Sequence, residues 1–514
     1  MARDKKRRTA IRSWFGVHKE ALRNTLLVAL TAGIVAQSGL LWSQVLTRDS
    51  IPWSGLRARV TASAQGVVET DNEVAALPTR FAVRTEDGMY GIQYNTDGLR
   101  TAYEETAELW TSALTNAAPP TVAAAADYRT ALQGELALME FDGSVPLDVL
   151  AGWLDCAIEQ ELASVRIGTA ALCRTQDGYV LYLRDSASGQ LVCAQTQVEN
   201  ELFDAAVQQF EPNDCVLAAD EENTAVSPDL LYFRESETFD VLSFGAYDGG
   251  NIEVLLEAFG MDAAAAQNGS YTTQDGVQVY VSGEHTLRLL RDGSVQYDGS
   301  GLRLPASHGH DRLMQCIQTG YDLTLAALGA VDSGAQPALI NAYTDADSGR
   351  YVAVYGIQVN GVPVDNAVTG YFARYEFEGG AMVRANLALR TCQTTGETIA
   401  VMPERQAAAS LAAQTDAVLS LRYIDSAKGT ASEWDSEAYA DSADGALWEA
   451  ENTEQTDDET LNTAWYDSTG EPVSPQWYIL RYDDSADLEQ IARTLSPEDI
   501  VVVQADFDRL IQGG

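Results

Sequence analysis

The sequence predicts an α+β fold that lies outside the cell behind a single N-terminal transmembrane helix. Two observations lead to this prediction. Residues 24–46 contain no charged side chain, and pairs of alternating apolar strands joined by tight turns recur along the chain, with a helical period after each group. Hairpins followed by helices are typical of antiparallel sheets that carry helices on one face.

Residues 24–46 have the length of about 20 residues that one helix needs to cross the hydrocarbon core of a bilayer. Residues 1–23 hold eight basic side chains against two acidic ones, a net charge of +6, so we expect this basic tail to be cytoplasmic. The alternative is a cleaved signal peptide, whose apolar core is shorter and ends in small residues. Leu40, Leu41 and Trp42 stand in that place, which favours an uncleaved anchor.

One face of the predicted transmembrane helix carries small residues and one amide. Ala29, Ala32, Gly33, Ala36 and Gln37 recur at helical spacing. Helices in lipid associate through close packing of small side chains, and an amide can add an interhelical hydrogen bond. We therefore expect this stripe to bind a partner's membrane helix. The alternative is that alanine and glycine are simply common in membrane helices.

The charge of the chain excludes nucleic acid as a partner. The 514 residues carry 33 basic and 75 acidic side chains, and removing residues 1–23 leaves 25 basic against 73 acidic ones, a net charge of −48. Such a surface repels phosphate backbones. Six cysteines are spread without a CxxC pair, so one or two disulfides and ordinary buried thiols are both compatible with the sequence.

Beyond the predicted helix we expect a stalk at 47–76, an external α+β region at 77–305 divided into two subdomains, and a C-terminal α+β domain at 306–514. In the first region, alternating or apolar runs predict strands at 80–84, 89–94, 135–141, 170–174, 179–184, 190–196, 277–281, 286–290 and 295–297. Helical periods predict helices at 98–115, 147–154, 198–210 and 252–259.

In the C-terminal domain the same patterns predict a helix at 311–328, a strand at 338–343 and a long ribbon that joins 351–360 to 367–377. A strand at 382–391, a helix at 403–415 and strands at 418–423 and 477–482 complete the domain. Residues 425–462 hold twelve acidic side chains and one basic one, Lys428, so we interpret them as a solvated acidic loop, with an acidic recognition arm as the alternative.

The sequence contains no catalytic or nucleotide-binding motif: it lacks GxSxG, HExxH and GxxxxGK[ST] patterns. The run His308-Gly309-His310-Asp311 superficially resembles the HxHxD core of metallohydrolases, but no histidine follows His310 to complete a ligand set. A helix entry capped by Ser307 is the better interpretation. We expect no metal, no cofactor and no enzymatic activity.

Several stretches carry a family resemblance. The stretch LMEFDGSVPLDVLAGWL at 138–154 and the hairpin HTLRLLRDGSVQYDG at 285–299 resemble the YycH family of Gram-positive bacteria. The ribbon YVAVYGIQVNGVPV at 351–364, with the closing strand around Trp477, is similar to the region that YycH shares with its sister family YycI. The acidic stretch at 425–462 departs from the family pattern.

The resemblance implies a membrane-anchored auxiliary protein that regulates the essential sensor histidine kinase of cell-wall homeostasis from outside the cell, together with a sister regulator of YycI type. That family is not enzymatic. Two other hypotheses stand beside it. A cell-envelope hydrolase would show a pocket with convergent titratable groups of perturbed pKa. An external binding module for wall fragments or lipids would show an apolar or aromatic-lined cleft instead.

Overall fold

A computed structural model of the protein describes residues 76–186, 189–221, 226–234, 237–274, 276–299, 302–304, 310–346, 348–366, 370–409, 418–425 and 472–480. The predicted cytoplasmic tail, the predicted transmembrane helix with its stripe of small residues, and the stalk before Ala76 lie outside these ranges. The acidic loop beyond Asp425 also lies outside them. Within the described ranges, no helix combines the length and the apolar character that crossing a bilayer requires.

The first sheet is antiparallel throughout. Its strands are β1 (Arg80–Thr85), β2 (Gly88–Gln93), β3 (Thr121–Val122), β4 (Leu136–Pro146), β5 (Arg166–Thr175), β6 (Gly178–Asp185) and β7 (Leu191–Thr196). They lie in the order β2–β1–β4–β5–β6–β7–β3. Gly88 and Gly178, with φ angles of +143° and +116°, close two of the predicted hairpins in conformations that favour glycine.

Four helices accompany this sheet: α1 (Thr96–Thr115), α2 (Ala125–Ala131), α3 (Leu147–Trp153) and α4 (Asn200–Val207). Helix α1 begins where the side chain of Asn95 accepts a hydrogen bond from the Gly98 N–H, and its residues at helical spacing, such as Leu99 and Trp110, are buried. The helices predicted at 98–115 and 147–154 are confirmed with small shifts at their ends. The helix predicted at 198–210 is shorter.

The opposite face of the first sheet has its own core. Leu138 of β4 and Ala171 of β5 pack with Tyr128 and Leu132, which come from α2 and its C-terminal end. The chain then runs through β8 (Val216–Leu217) and β9 (Leu231–Tyr232), which pair with each other, and into β10 (Thr238–Ala246). Burial of apolar side chains on both faces explains why the central strands read as nearly continuous apolar runs.

The second sheet contains β11 (Tyr271–Thr272), β12 (Gln278–Ser282), β13 (His285–Leu289), β14 (Ser294–Asp298), β15 (Gln336–Thr344), β16 (Tyr351–Val359), β17 (Val362–Asn366), β18 (Ala373–Glu378) and β19 (Ala381–Ala388). The order is β11–β12–β13–β14–β19–β18–β16–β15, with β17 beside the end of β16. Because β14 pairs with β19, strands on both sides of the predicted boundary at 305 share one sheet.

Helices α5 (Ile252–Ala258), α6 (Ala263–Asn268) and α7 (His310–Ala330) belong to this second part, and α7 confirms the helix predicted at 311–328. Helix α7 lies against the sheet through a close approach at Gly320, where a Cβ atom would come within 2.6 Å of the Tyr355 ring. The hydroxyl of Tyr355 donates to the carbonyl of Ile317, and Thr324 lies 3.1 Å from the hydroxyl of Tyr375. A large, mostly antiparallel sheet region with few helices confirms the predicted α+β class, although the first sheet has cores on both faces.

The long ribbon predicted at 351–360 and 367–377 divides into two pairings. Strand β16 pairs with β18 over its first half and with the short β17 over its second half. The chain reverses at Gly361, whose φ angle is +82°. Residues after this turn therefore form a separate strand before the ribbon resumes in β18.

The remaining elements are β20 (Arg390–Ala400), α8 (Glu404–Ala409), β21 (Val418–Asp425), β22 (Pro472–Val473) and β23 (Gln476–Leu480). Strand β20 pairs with β10, which also pairs with β22. Strand β21 lies between β17, to which it is parallel, and β23, to which it is antiparallel. The strands predicted at 418–423 and 477–482 are confirmed, whereas most of β20 and all of β10 are absent from the sequence-based prediction.

Candidate functional site

Strand β4 takes part in both sheets. Its pairing with β5 is interrupted over residues 140–145, and Ser144 pairs in parallel with Asn341 of β15. The crossing depends on Gly143, where a Cβ atom would lie 2.1 Å from the carbonyl oxygen of Leu339. Two backbones can approach this closely only where one residue has no side chain. The Asp-Gly-Ser run at 142–144 thus marks the point where the sheets join.

Arg166 of β5 lies across the same crossing. Its Nε donates to the hydroxyl of Ser144 at 3.2 Å, and its Nη2 donates to the side chain of Asn341 and to the carbonyl of Ala342. Burial lowers the pKa of Arg166, and the carboxylate of Asp185 offsets only part of this effect. The guanidinium therefore ties a strand of the first sheet to a strand of the second.

Arg80 of β1 is buried beneath β21 with partners for all five of its N–H groups. Its Nε donates to Gln93 at 3.2 Å, and its Nη1 donates to both carboxylate oxygens of Glu140 at 3.0 Å. Its Nη2 donates to the hydroxyl of Tyr94 at 2.9 Å and to the carbonyl of Leu419 at 2.8 Å. Gln93 and Glu140 lie opposite Arg80 on neighbouring strands, so β2, β1 and β4 present one polar row to β21.

Tyr94 completes the contact with β21. Its hydroxyl accepts a hydrogen bond from the N–H of Leu421 at 3.1 Å. Its backbone has a positive φ of 49° and lies against the Gly361 turn, where a Cβ atom would come within 2.7 Å of the Tyr94 carbonyl carbon. Tyr94 therefore contacts both β21 and the turn that divides the predicted ribbon.

Two carboxylates surround Arg80 and carry unusual proton affinities. Burial raises the pKa of Glu140, and the opposing effect of Arg80 is too small to reverse the shift. Glu404, at the start of α8, accepts a hydrogen bond from the Gln93 amide, and burial raises its pKa as well. A raised carboxyl pKa means that the folded state takes up protons more readily than the unfolded state. Protonation of Glu140 and Glu404 therefore stabilises the fold at low pH, and this stabilisation is lost as the pH rises through the raised pKa values.

Arg422 of β21 connects three strands. Its Nη1 donates to both carboxylate oxygens of Asp365 at 2.8 and 2.9 Å, and its Nη2 donates to Asp142 in the β4 crossing. The side chain is fully buried. Its Nε has no hydrogen-bond partner among the described residues. The positive charge lies between two aspartates, which raise its pKa against the opposing effect of burial.

These contacts define the sheet junction: Arg80, Glu140, Gly143, Arg166 and Arg422 with their partners. Its guanidinium groups bond carboxylates, neutral side chains and backbone carbonyls of neighbouring strands. Together these contacts hold β21 between the first sheet and β17. Among the described residues, no group of three or more His, Cys, Asp or Glu side chains is arranged to hold a metal ion.

The residues singled out by sequence reasoning lie elsewhere. Ala29, Ala32, Gly33, Ala36 and Gln37 lie outside the described ranges, as does His308. Helix α7 begins at His310, in agreement with the predicted helix entry. All six cysteines are free thiols; four of them are buried and two are half-buried, so the disulfide alternative is wrong for this structure.

Two arginines of the sheet junction, Arg80 and Arg422, could have been recognised from the sequence. Both Arg80 and Arg422 stand within strands whose other residues are largely buried and apolar. A charged residue in such a strand is rarely buried without a partner of opposite charge. The signal identifies the arginines but not their partners, since Arg422 and Asp142 are 280 residues apart.

Comparison with known proteins gives one structural similarity. No family model matches the chain, and no curated protein matches its sequence. The crystal structure of YycH from Bacillus subtilis aligns with 69% of this chain and 93% of that chain, at 12% sequence identity and a TM-score of 0.41. The similarity extends no further than a YycH-like fold.

Proposed function

We propose that this chain is a membrane-anchored extracytoplasmic regulatory protein without enzymatic activity, which modulates a two-component sensor histidine kinase of cell-wall metabolism through protein–protein contacts. The proposal rests on the observation that two of the YycH-like stretches meet at the sheet junction. The stretch 138–154 contains the β4 crossing, and the stretch 351–364 leads directly into Asp365. Arg422 bonds both Asp142 and Asp365. Two of the stretches that resemble the family thus adjoin the sheet junction.

The proposed anchor determines where such contacts form. A single span confines the external part of the chain to the layer above the membrane that also contains the external segments of a kinase. Confinement of two tethered partners raises their effective concentration, so individually weak contacts suffice for regulation. The proposed partners are the kinase and a sister regulator of YycI type, and the span and the external part can both contact them.

We expect residues 1–23 to be cytoplasmic and the acidic bulk of the chain to be external. The test introduces single cysteines near Thr9 and near Asp49 in a variant without the native cysteines and labels intact cells with a thiol reagent that cannot cross the membrane. The reagent should reach the position near Asp49 and not the one near Thr9. Labelling of the position near Thr9 alone would exclude the proposed orientation.

We expect Gly33→Leu or Ala36→Leu to weaken co-purification of the kinase from crosslinked membranes, because a bulky side chain separates helices that pack through small residues. A Leu30→Ile variant, with its change outside the stripe, is the matched control and should capture as much kinase as the wild type. Kinase phosphorylation measured in the same cells should change with the loss of capture.

Equal capture of the kinase by all three variants would place the contact in the external part. Failure of the wild-type chain to capture the kinase, together with unchanged kinase phosphorylation when the chain is deleted, would exclude the proposed function as a whole.

A further inference from the structure

Strand β20 has an open edge within the part of the chain that the structure describes. It is 11 residues long and pairs on one side with β10, while no other described strand pairs with it. The hydroxyl of Ser333 lies 3.5 Å from the carbonyl of Cys392, so the segment after α7 reaches the start of the strand. From Gln393 to Thr398 all six residues are exposed, and a Cβ atom on Gly396 would meet no described atom within 4 Å.

Several other sheet edges in the described part are covered or short. Beside β2, the amide of Asn213 bonds both the N–H and the carbonyl of Gly91, at 3.0 and 2.6 Å, and the Asn213 N–H donates to Met89. Strand β15 meets β4, and the outermost strands β3 and β11 are only two residues long. Proteins protect their edges because unpaired backbone groups invite pairing with another chain.

The sequence of β20 favours strand pairing with a partner. Five of its residues, Thr391, Thr394, Thr395, Thr398 and Ile399, are β-branched, and it contains no proline or lysine of the kind that blocks an edge. The bulge around Gly396, where the φ angle is +84°, interrupts the register with β10. A bulge opposes long uninterrupted pairing, so the edge suits a short segment better than a second copy of β20.

The charge around the open edge specifies the chemistry of the partner. Asp240 on β10 and Glu397 on β20 are acidic, and the one basic residue of these two strands, Arg390, forms an ion pair with Asp425. A second copy of this chain, with its net charge of −42, would add like charge to this surface. A basic segment would be attracted to it.

We propose that β20 is a docking edge for an extended, basic segment of the kinase's external part, which adds a strand alongside Gln393–Thr398 and places its basic side chains next to Glu397. This inference rests on the proposed function and specifies one of its contacts. Backbone hydrogen bonds then provide affinity, and the carboxylates select a basic sequence.

The test uses the full-length chain in its native membrane with a photo-crosslinking amino acid at Gln393. We expect a crosslink to the kinase whose yield falls about tenfold when Glu397→Lys is combined with it, because like charge slows and weakens association. The matched control is Glu201→Lys, which makes the same charge change at an exposed position on α4. Probes at Val122 and Tyr271, the most exposed large apolar residues that the structure describes, test two other surfaces.

The crosslinking results distinguish failure of the docking edge from failure of the proposed function. Crosslinks to the kinase from Val122 or Tyr271 but not from Gln393 would overturn the docking edge and leave the proposed function in place. If Glu397→Lys and Glu201→Lys lowered the yield of the Gln393 crosslink equally, selection of a basic segment by this edge would be wrong. A crosslink from Gln393 to a second copy of the chain would also contradict that selection. No kinase crosslink from any of the probes in the folded protein would overturn the docking edge, whereas the proposed function is decided by kinase capture and phosphorylation.

Discussion

Replacement of Gly143 by alanine is expected to separate the two sheets at the β4 crossing. The new Cβ atom would lie 2.1 Å from the carbonyl oxygen of Leu339, and backbone atoms cannot move aside as a flexible side chain can. We expect the free energy of unfolding to fall by about 4 kcal/mol, at the upper end of the range for single substitutions. Thermal and denaturant unfolding of the full-length chain in detergent, followed by circular dichroism, would measure the loss.

Gly334→Ala is the matched control for this experiment, because a Cβ atom at Gly334 would meet no described atom within 4 Å. Its unfolding midpoint should equal that of the wild type. If Gly143→Ala were as stable as Gly334→Ala, the backbone approach at the crossing would be wrong, and the sheets would have to join in another way.

Replacement of Arg80 by methionine is expected to cost about 3 to 5 kcal/mol, the usual loss when one partner of a buried ion pair is removed. The substitution keeps a similar volume but leaves Glu140, Gln93 and the carbonyl of Leu419 without their donor. The matched control is Arg234→Met, because Arg234 forms an ion pair with Asp214 in which both side chains are more than three-quarters exposed (78% and 76%). We expect that change to cost less than about 1 kcal/mol.

The loss caused by Arg80→Met should depend on pH. Without Arg80, the pKa of Glu140 rises further, because burial already raises it and the opposing charge is gone. The variant can relieve its buried charge by taking up a proton, so its deficit relative to the wild type should shrink as the pH falls. A deficit that is constant between mildly acidic and mildly alkaline pH would indicate lost packing, and would contradict the ionic origin of the effect.

Sequence patterns predicted the elements that depend on neighbouring residues. The hairpin of β1 and β2, helix α1 and the Asp-Gly turn between β13 and β14 follow from alternation, helical spacing and turn chemistry within a few residues. Strand β20 was missed because its central residues are polar and exposed, so it lacks the apolar alternation of a half-buried strand. Its partner β10 lies about 150 residues earlier, beyond the reach of any local pattern.

The sheet junction could not be predicted for the same reason. Arg80 bonds the carbonyl of Leu419 across 339 residues, and Gly143 meets a backbone nearly 200 residues away. Glycine in the Asp142-Gly143-Ser144 run reads locally as a turn, whereas in the structure it lies within β4 and permits a crossing. Residue type alone does not distinguish these two uses of glycine.

The β21–β23 hairpin has a consequence for how the chain tolerates change. Residues 426–471 begin after Asp425 and end before Pro472, and the strands on either side of them pair from Val418 with Leu480 to Arg422 with Gln476. The strands that precede and follow this segment are thus held together by backbone pairing, whatever the sequence between them. Loop-closure entropy grows slowly with length, by about 0.6 kcal/mol for each doubling. The length and composition of this segment can therefore change while the pairing of the strands on either side of it is retained.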